Sequence, residues 1–476
     1  MVVKSKLLII GLDCAAPSLF FKRHLDNIPT LCKFQASGRR GQLRSSDPPI
    51  TIPAWMCMAT GRTPGQLGIY GFRHRKKKTY DDLWIASSLS VKEKTAWETL
   101  SDNGLRSIIV GIPPTFPVKP FNGNMVTGFI TPGVDNQFTH PESLKNELLD
   151  KFGHYTFDVP FRIEDKKGLF DNLMKMTRER HEVIKHLMKN KEWDLFWFVE
   201  IGLDRMHHAY WKYFDENHKD FVEGNEFQDC IEKYEKLLDN NVKELLEIIP
   251  DDTRVLVVSD HGAQPMAGCV CVNEWLFKEG YLTLNKYPEK QTSPTKLDIN
   301  WTKTKAWGWG GYYARIFLNI KGREPDGAIE LHNVINEVKI LREKIEALKG
   351  PDGSPLGSKT FNSRELYPDG FIGDHPDLYV YFGDLKWRSA GTVGHDKLFL
   401  EENDTGPDDA VHAKNGIYIE FKKEDYLAMK EKPDSKINKQ LNEKEIDQFS
   451  IYDIYPTILK HFGLEIPDGL RGKPLV

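Results

Sequence analysis

Four short apolar runs punctuate the chain: Leu7-Leu8-Ile9-Ile10, Ser107-Ile108-Ile109-Val110, Phe196-Trp197-Phe198-Val199 and Val255-Leu256-Val257-Val258. Runs of this length, rich in β-branched and aromatic residues and lacking apolar–polar alternation, predict strands buried on both faces. Between them the spacing of apolar positions lengthens to a helical period. It predicts helices from Asp171 to Lys189 and from about Gln228 to Ile249, and a shorter one from Thr51 to near Gly61. Thr51 is expected as its N-cap, with Pro53 in the permitted first turn. Strands alternating with helices predict an α/β fold, a doubly wound and mostly parallel sheet with helices on both faces.

The texture changes over residues 286–374. Trp307-Gly308-Trp309-Gly310-Gly311-Tyr312-Tyr313 precedes an expected strand at Ala314–Ile320, a Gly/Pro turn at 322–327 and a helix from Ala328 to Leu348. This segment is expected to be an inserted α+β cap. The core is then 1–285 and 375–476, resuming with Asp377–Tyr381 and closing with a helix from Ser450 to Phe462.

Composition adds exclusions. The chain has 476 residues and a net charge of −4, so no broad basic field suggests a nucleic-acid duplex as partner. Arg73-His74-Arg75-Lys76-Lys77-Lys78 is the local exception; it is expected to be a solvated loop, with a patch that attracts an anionic substrate as the alternative. The six cysteines have no disulfide-framework spacing, and Cys269 and Cys271 would face opposite sides of a strand. Free thiols fit a reducing, cytoplasmic setting. The Lys6–Gly11 run is short for a signal-peptide core, and no uninterrupted apolar stretch of about 18 residues predicts a membrane span.

Acidic and histidine groups follow three of the apolar runs: Asp13, Asp204 with His208, and Asp260 with His261. In open α/β sheets the chemistry lies beyond the carboxyl ends of the strands, so these groups are expected along one sheet edge. Asp204 and His208, four apart, would share a face if a helix begins near Gly202; an ion pair or cap is the plain alternative, and His207 is a competing ligand. Asp260-His261 would converge where the strand breaks into a turn, which Gly262 permits. Taken alone, Asp13 reads equally as a helix-capping acid, Thr51 as a plain cap, and His412 as a loop histidine rivalled by His375 and His395. Taken together, the acids, imidazoles and Thr51 can hold divalent cations around a hydroxyl nucleophile.

Beyond these residues, the sequence resembles the alkaline phosphatase superfamily, in its type I phosphodiesterase/nucleotide pyrophosphatase branch. The resemblance rests on Ile9-Ile10-Gly11-Leu12-Asp13, Thr51-Ile52-Pro53-Ala54-Trp55, Thr60-Gly61-Arg62-Thr63-Pro64, Gly68-Ile69-Tyr70-Gly71-Phe72, Asp204-Arg205-Met206-His207-His208, Ser259-Asp260-His261-Gly262 and His412. Asp453–Leu459 and Gly472–Leu475 are similar to the superfamily's closing helix and tail. The resemblance implies an alkaline phosphatase-like fold and two divalent ions, zinc first, with manganese or iron as alternatives. Asp13, Thr51, Asp260 and His261 would hold one ion; Asp204, His208 and His412 the other. Thr51 would be the nucleophile, passing through a phosphothreonine. Leu67-Gly68 stands where the family's nucleotide pyrophosphatases often carry His-Gly, and Phe72 where they place an asparagine near the phosphate.

The expected activity is hydrolysis of a small phosphate ester, a phosphodiester first, such as a nucleotide or glycerophospho-compound. A phosphomonoesterase or phosphomutase on the same core is the rival, and a non-catalytic metal- or phosphate-binding module the reading from another class. Arg62, Trp307 and Trp309 are candidates for substrate contact. The Trp307–Tyr313 stretch would either stack on a ligand or pack as cap core.

Overall fold

A computed structural model describes residues 5–475, and they divide into two compact units. The first comprises residues up to Thr63, Ala86–Ala263 and Ala413 onward; the second comprises Pro64–Ile85 and Gln264–His412. The second unit is therefore wider than the 286–374 stretch marked by the change in texture.

The first unit is built on one nine-stranded sheet. Its strands are β1 (Leu7–Leu12), β2 (Arg39–Arg44), β3 (Ser107–Val110), β4 (Gly123–Val126), β5 (Thr139–His140), β6 (Leu195–Glu200), β7 (Arg254–Val258), β8 (Asn415–Lys422) and β9 (Asp447–Ser450). Their order is β9-β2-β8-β7-β1-β6-β3-β4-β5. The five strands β7-β1-β6-β3-β4 are mutually parallel, and β8 and β5 are antiparallel to their neighbours. Every residue of β1, β3 and β6 is buried, as continuous apolar runs between two helical layers require.

Four helices matter to the site: α1 (Thr51–Thr60), α2 (Lys166–Asn190), α3 (Gly202–Phe214) and α4 (Cys230–Leu246). In α2 the buried Leu169, Leu173, Met176, Arg180, Val183 and Leu187 recur at three- and four-residue steps, and the Asp165 side chain caps the Gly168 amide.

The second unit is α+β. A four-stranded antiparallel sheet runs Ala306–Trp309, Ala314–Leu318, Leu378–Tyr381 and Lys359–Phe361 in that order. The run at 377–381, expected to return the chain to the main sheet, instead pairs with Ala314–Ile316. Leu378–Tyr381 are buried, so this apolar run resembled those of the main sheet; the pairing depends on partners some 65 residues earlier, beyond local pattern. Arg73–Arg75 and Leu83–Ile85 form a hairpin here, so part of the supposed loop is a strand with His74 and Arg75 buried. The helix expected from Ala328 begins only at Val334, after a 3₁₀ turn at Leu331–Asn333, and ends at Glu346. Among the described residues, no helix is long and apolar enough to cross a membrane. All six cysteines are buried free thiols.

Candidate active site

The register of the first unit brings three strand ends level: Gly11 of β1 lies beside Val199 of β6 and Val258 of β7. Asp13 and Asp260 each follow two residues beyond that line. After β6 the chain turns into α3, placing Asp204 in the first turn and His208 one turn on. The acids at the ends of three strands thus meet because the central strands are parallel and in step.

Asp13, Asp260 and His261 offer ligand atoms that lie within 4.8 Å of one another, all buried. His261 Nε2 stands 3.1 Å from Asp260 Oδ2 and 3.9 Å from Asp13 Oδ1. Thr51 Oγ1 is 3.2 Å from the same nitrogen. The other ring nitrogen, Nδ1, faces the Gly262 carbonyl at 3.2 Å. A proton on Nδ1 satisfies that carbonyl, leaving the Nε2 lone pair directed at Thr51 and the carboxylates.

Thr51 is the first residue of α1. Ile50 occupies the N-cap position, and no side chain caps the helix. The expected N-cap role for Thr51 is therefore not seen: its hydroxyl is directed to His261 instead. Gly262 also acts differently from expectation. Its φ is not left-handed, but a Cβ there would stand 2.2 Å from the Asn415 carbonyl oxygen, so the glycine serves a close backbone approach.

The second group is Asp204, His208 and Cys14, whose ligand atoms also lie within 4.8 Å of one another. His208 Nε2 is 3.2 Å from Asp204 Oδ1. His207 is turned elsewhere: its Nδ1 faces the Cys14 carbonyl at 3.1 Å, and its ring packs on Trp211. Arg205 donates to Asp204 and to both oxygens of Asp158, and its guanidinium lies over Phe161 at 4.7 Å. Sequence reasoning passed over Cys14 and Arg205. Each is adjacent to a predicted acid, but that adjacency alone carries no signal. Cys14 also has a left-handed backbone, φ 66°.

The buried acids raise one another's proton affinity. Burial, and then the charge of Asp204, push the Asp13 carboxyl well above the usual carboxylate range. Burial, and then Asp13, do the same to Asp260. Burial lowers His261 to about 4, so its imidazole is neutral and able to ligate. Asp13 Oδ1 and Asp260 Oδ2 are buried with no hydrogen-bond partner among the described residues. Unsatisfied buried carboxylate oxygens are costly, and a divalent cation among them would satisfy both.

His412 belongs to the second unit, on the strand Ala410–Ala413. Its ring stacks on Tyr312 at 3.7 Å, and Tyr312 in turn lies 4.2 Å from the Arg388 guanidinium. The rivals are engaged locally: His375 Nδ1 with Ser363, and His395 Nε2 with Thr392. Arg62 pairs with Glu93 at 3.1 Å. Trp307 is buried in the core of the second unit, whereas Trp309 is half-buried.

The family profile for type I phosphodiesterase / nucleotide pyrophosphatase matches residues 7–412. The chain belongs to this family. It is a phosphoric ester hydrolase with an alkaline phosphatase-like fold. Among solved structures, it is similar to phosphonoacetate hydrolase from Sinorhizobium meliloti in complex with phosphonoformate, with a TM-score of 0.58 at 12% identity, covering 92% of this chain and 95% of that one. It is also similar to murine ectonucleotide pyrophosphatase/phosphodiesterase 5, an inactive variant in complex with AMP, with a TM-score of 0.53 at 12% identity, covering 98% and 96%. No curated protein matches by sequence comparison.

Proposed function

We propose that this member of the family is a metal-dependent phosphodiesterase that uses Thr51 as nucleophile. The observation carrying this reading is the Thr51 hydroxyl, 3.2 Å from His261 Nε2 and set among buried carboxylates with unsatisfied oxygens. Asp13, Thr51, Asp260 and His261 would hold one cation, and Asp204 and His208 would contribute to a second. Cations bound there would supply the positive charge that favours ionisation of a hydroxyl and stabilises charge developing on the attacking and leaving oxygens.

The chain's own residues do the rest. Thr51 opens α1, so its hydroxyl and the amides of Thr51 and Ile52 lie at the positive end of the helix, where a phosphoryl group is favoured; Pro53 contributes no amide proton. Trp55 Nε1 fixes the Asp13 carboxylate at 2.8 Å. Attack of Thr51 Oγ1 on phosphorus breaks the bond to one alcohol, which leaves with the threonine proton, and forms a phosphothreonine still esterified to the other alcohol. Water then cleaves that ester, releasing the phosphate product and restoring the hydroxyl. A threonine-to-alanine change marks the murine relative as inactive, which supports the assignment. Small phosphodiesters are the proposed substrates, and the buried free thiols fit a reducing cytoplasm.

The test compares bis-aryl and mono-aryl phosphate esters after chelation and after readdition of zinc or manganese. The proposal expects chelator-sensitive turnover, faster on the diester. Turnover that survives exhaustive chelation would refute metal dependence, and a preference for the monoester would favour a phosphomonoesterase.

A further inference from the structure

We infer that the second unit carries a separate phosphate-binding site, lined by Arg73, Arg315 and Trp309. Register makes it. Trp309 and Arg315 are direct cross-strand partners, so both side chains share one face of the sheet. Two positions along, Trp307 and Phe317 are also paired, and the Arg75 guanidinium covers both rings. Beyond this packed end lies a cavity of about 120 Å³, lined by Arg73, Arg75, Leu83, Trp309, Gly310, Arg315 and Phe317. At roughly 30 Å³ per water, it has room for about four waters or one tetrahedral anion.

The polar side chains lining this cavity are three arginines and an indole, which donate hydrogen bonds and accept none. Arg75 is already engaged by Glu324 and Asp374. Among the described residues, Arg73 and Arg315 have no carboxylate partner, and Arg315 Nη1 donates to the Arg73 carbonyl. Trp309 Nε1 is buried without an acceptor. A buried donor of this kind calls for an acceptor-rich ligand. Two planar guanidinium forks beside an indole N–H suit the several oxygens of a phosphate group. Lys77 and Lys78, exposed at the hairpin turn, add attraction at longer range. The ligand class is a phosphate group, either free or at the end of a small organic molecule.

Isothermal titration calorimetry of the full chain with inorganic phosphate tests this. The wild type should show two binding events, one of them at the catalytic centre. In the Arg73→Gln/Arg315→Gln variant one event should disappear while the other keeps its affinity. Trp309→Phe, which removes the indole N–H and keeps an aromatic ring, should weaken the same event several-fold, as should Arg73→Gln alone, an exposed change that leaves the core intact. Titration with glycerol phosphate separates the sources: tighter binding than inorganic phosphate assigns the site to an organic phosphate, and equal or weaker binding to the free anion. Superimposable isotherms for wild type and all three variants would overturn the inference, as would acetate binding at this site as tightly as phosphate.

Discussion

Trp55 Nε1 donates to Asp13 Oδ2 at 2.8 Å, leaving Oδ1 directed into the candidate site 3.9 Å from His261 Nε2. The two residues lie 42 positions apart and close a link between α1 and β1. The indole thereby selects which carboxylate oxygen faces the site. Trp55→Phe keeps an aromatic ring but loses the donor. Removing a group that orients a ligand typically costs about 10- to 100-fold in metal affinity or activity. Equilibrium dialysis with zinc, alongside turnover of a bis-aryl phosphate, should show losses of that size in a chain that still folds.

Gly11 makes that link possible. A Cβ at this position would stand 2.6 Å from the Trp55 ring and 2.8 Å from the Phe198 carbonyl oxygen. The ring has freedom to shift, but the β6 backbone is held in the central sheet. Gly11→Ala is therefore expected to destabilise the fold by about 1–3 kcal/mol, the usual cost of overpacking. A lowered urea midpoint at unchanged m-value would register it; an unchanged midpoint would mean that the sheet yields.

His74 predicts an acid sensitivity in the second unit. Its Nε2 accepts the Tyr70 amide at 2.8 Å, and its ring stacks on Trp84. Burial, and then Arg315, lower its pKa to about 3. The unfolded chain, with a value near 6.5, binds the proton more readily, so His74 contributes stability above pH 6.5 that is lost as pH falls toward 3. Between pH 6.5 and 5 the loss is up to about 2 kcal/mol from this residue. His74→Gln removes the titration. Urea unfolding at pH 7.5 and 5.0 should show a smaller pH-dependent loss in the variant than in the wild type.

Arg205 joins Asp204 to Asp158 in a buried network. Replacing one partner of such a pair strands a buried charge, at about 3–5 kcal/mol. Arg205→Met is expected to lower the melting temperature by several degrees. Asp158→Asn, whose side chain is more exposed, should cost less.

Much of this was legible in the sequence, because parallel strands buried on both faces announce themselves as continuous apolar runs, and open sheets place their chemistry at strand ends. Asp13, Asp204, Asp260 and His261 were found that way, and the four-residue spacing to His208 followed from a helix starting near Gly202. Other features depend on distant partners. Nothing local ties Arg73–Arg75 to the second unit; Arg75 does so through Glu324 and Asp374, about 250 and 300 positions away. Leu378–Tyr381 has the texture of a main-sheet strand, and its pairing with Ala314–Leu318 is a choice between equally apolar edges. The role of Trp55 was hidden because an indole on a buried helix face looks like core.

The central claim is tested most directly by Thr51→Ala, assayed for bis-aryl phosphate hydrolysis, bound metal and phosphothreonine trapped by acid quench. The account predicts a folded protein that keeps its metal at the site of Asp13, Asp260 and His261, yields no phosphothreonine and loses at least roughly 10³-fold in turnover. Wild-type rates from the alanine variant, or a phosphoryl group trapped on another residue, would contradict it.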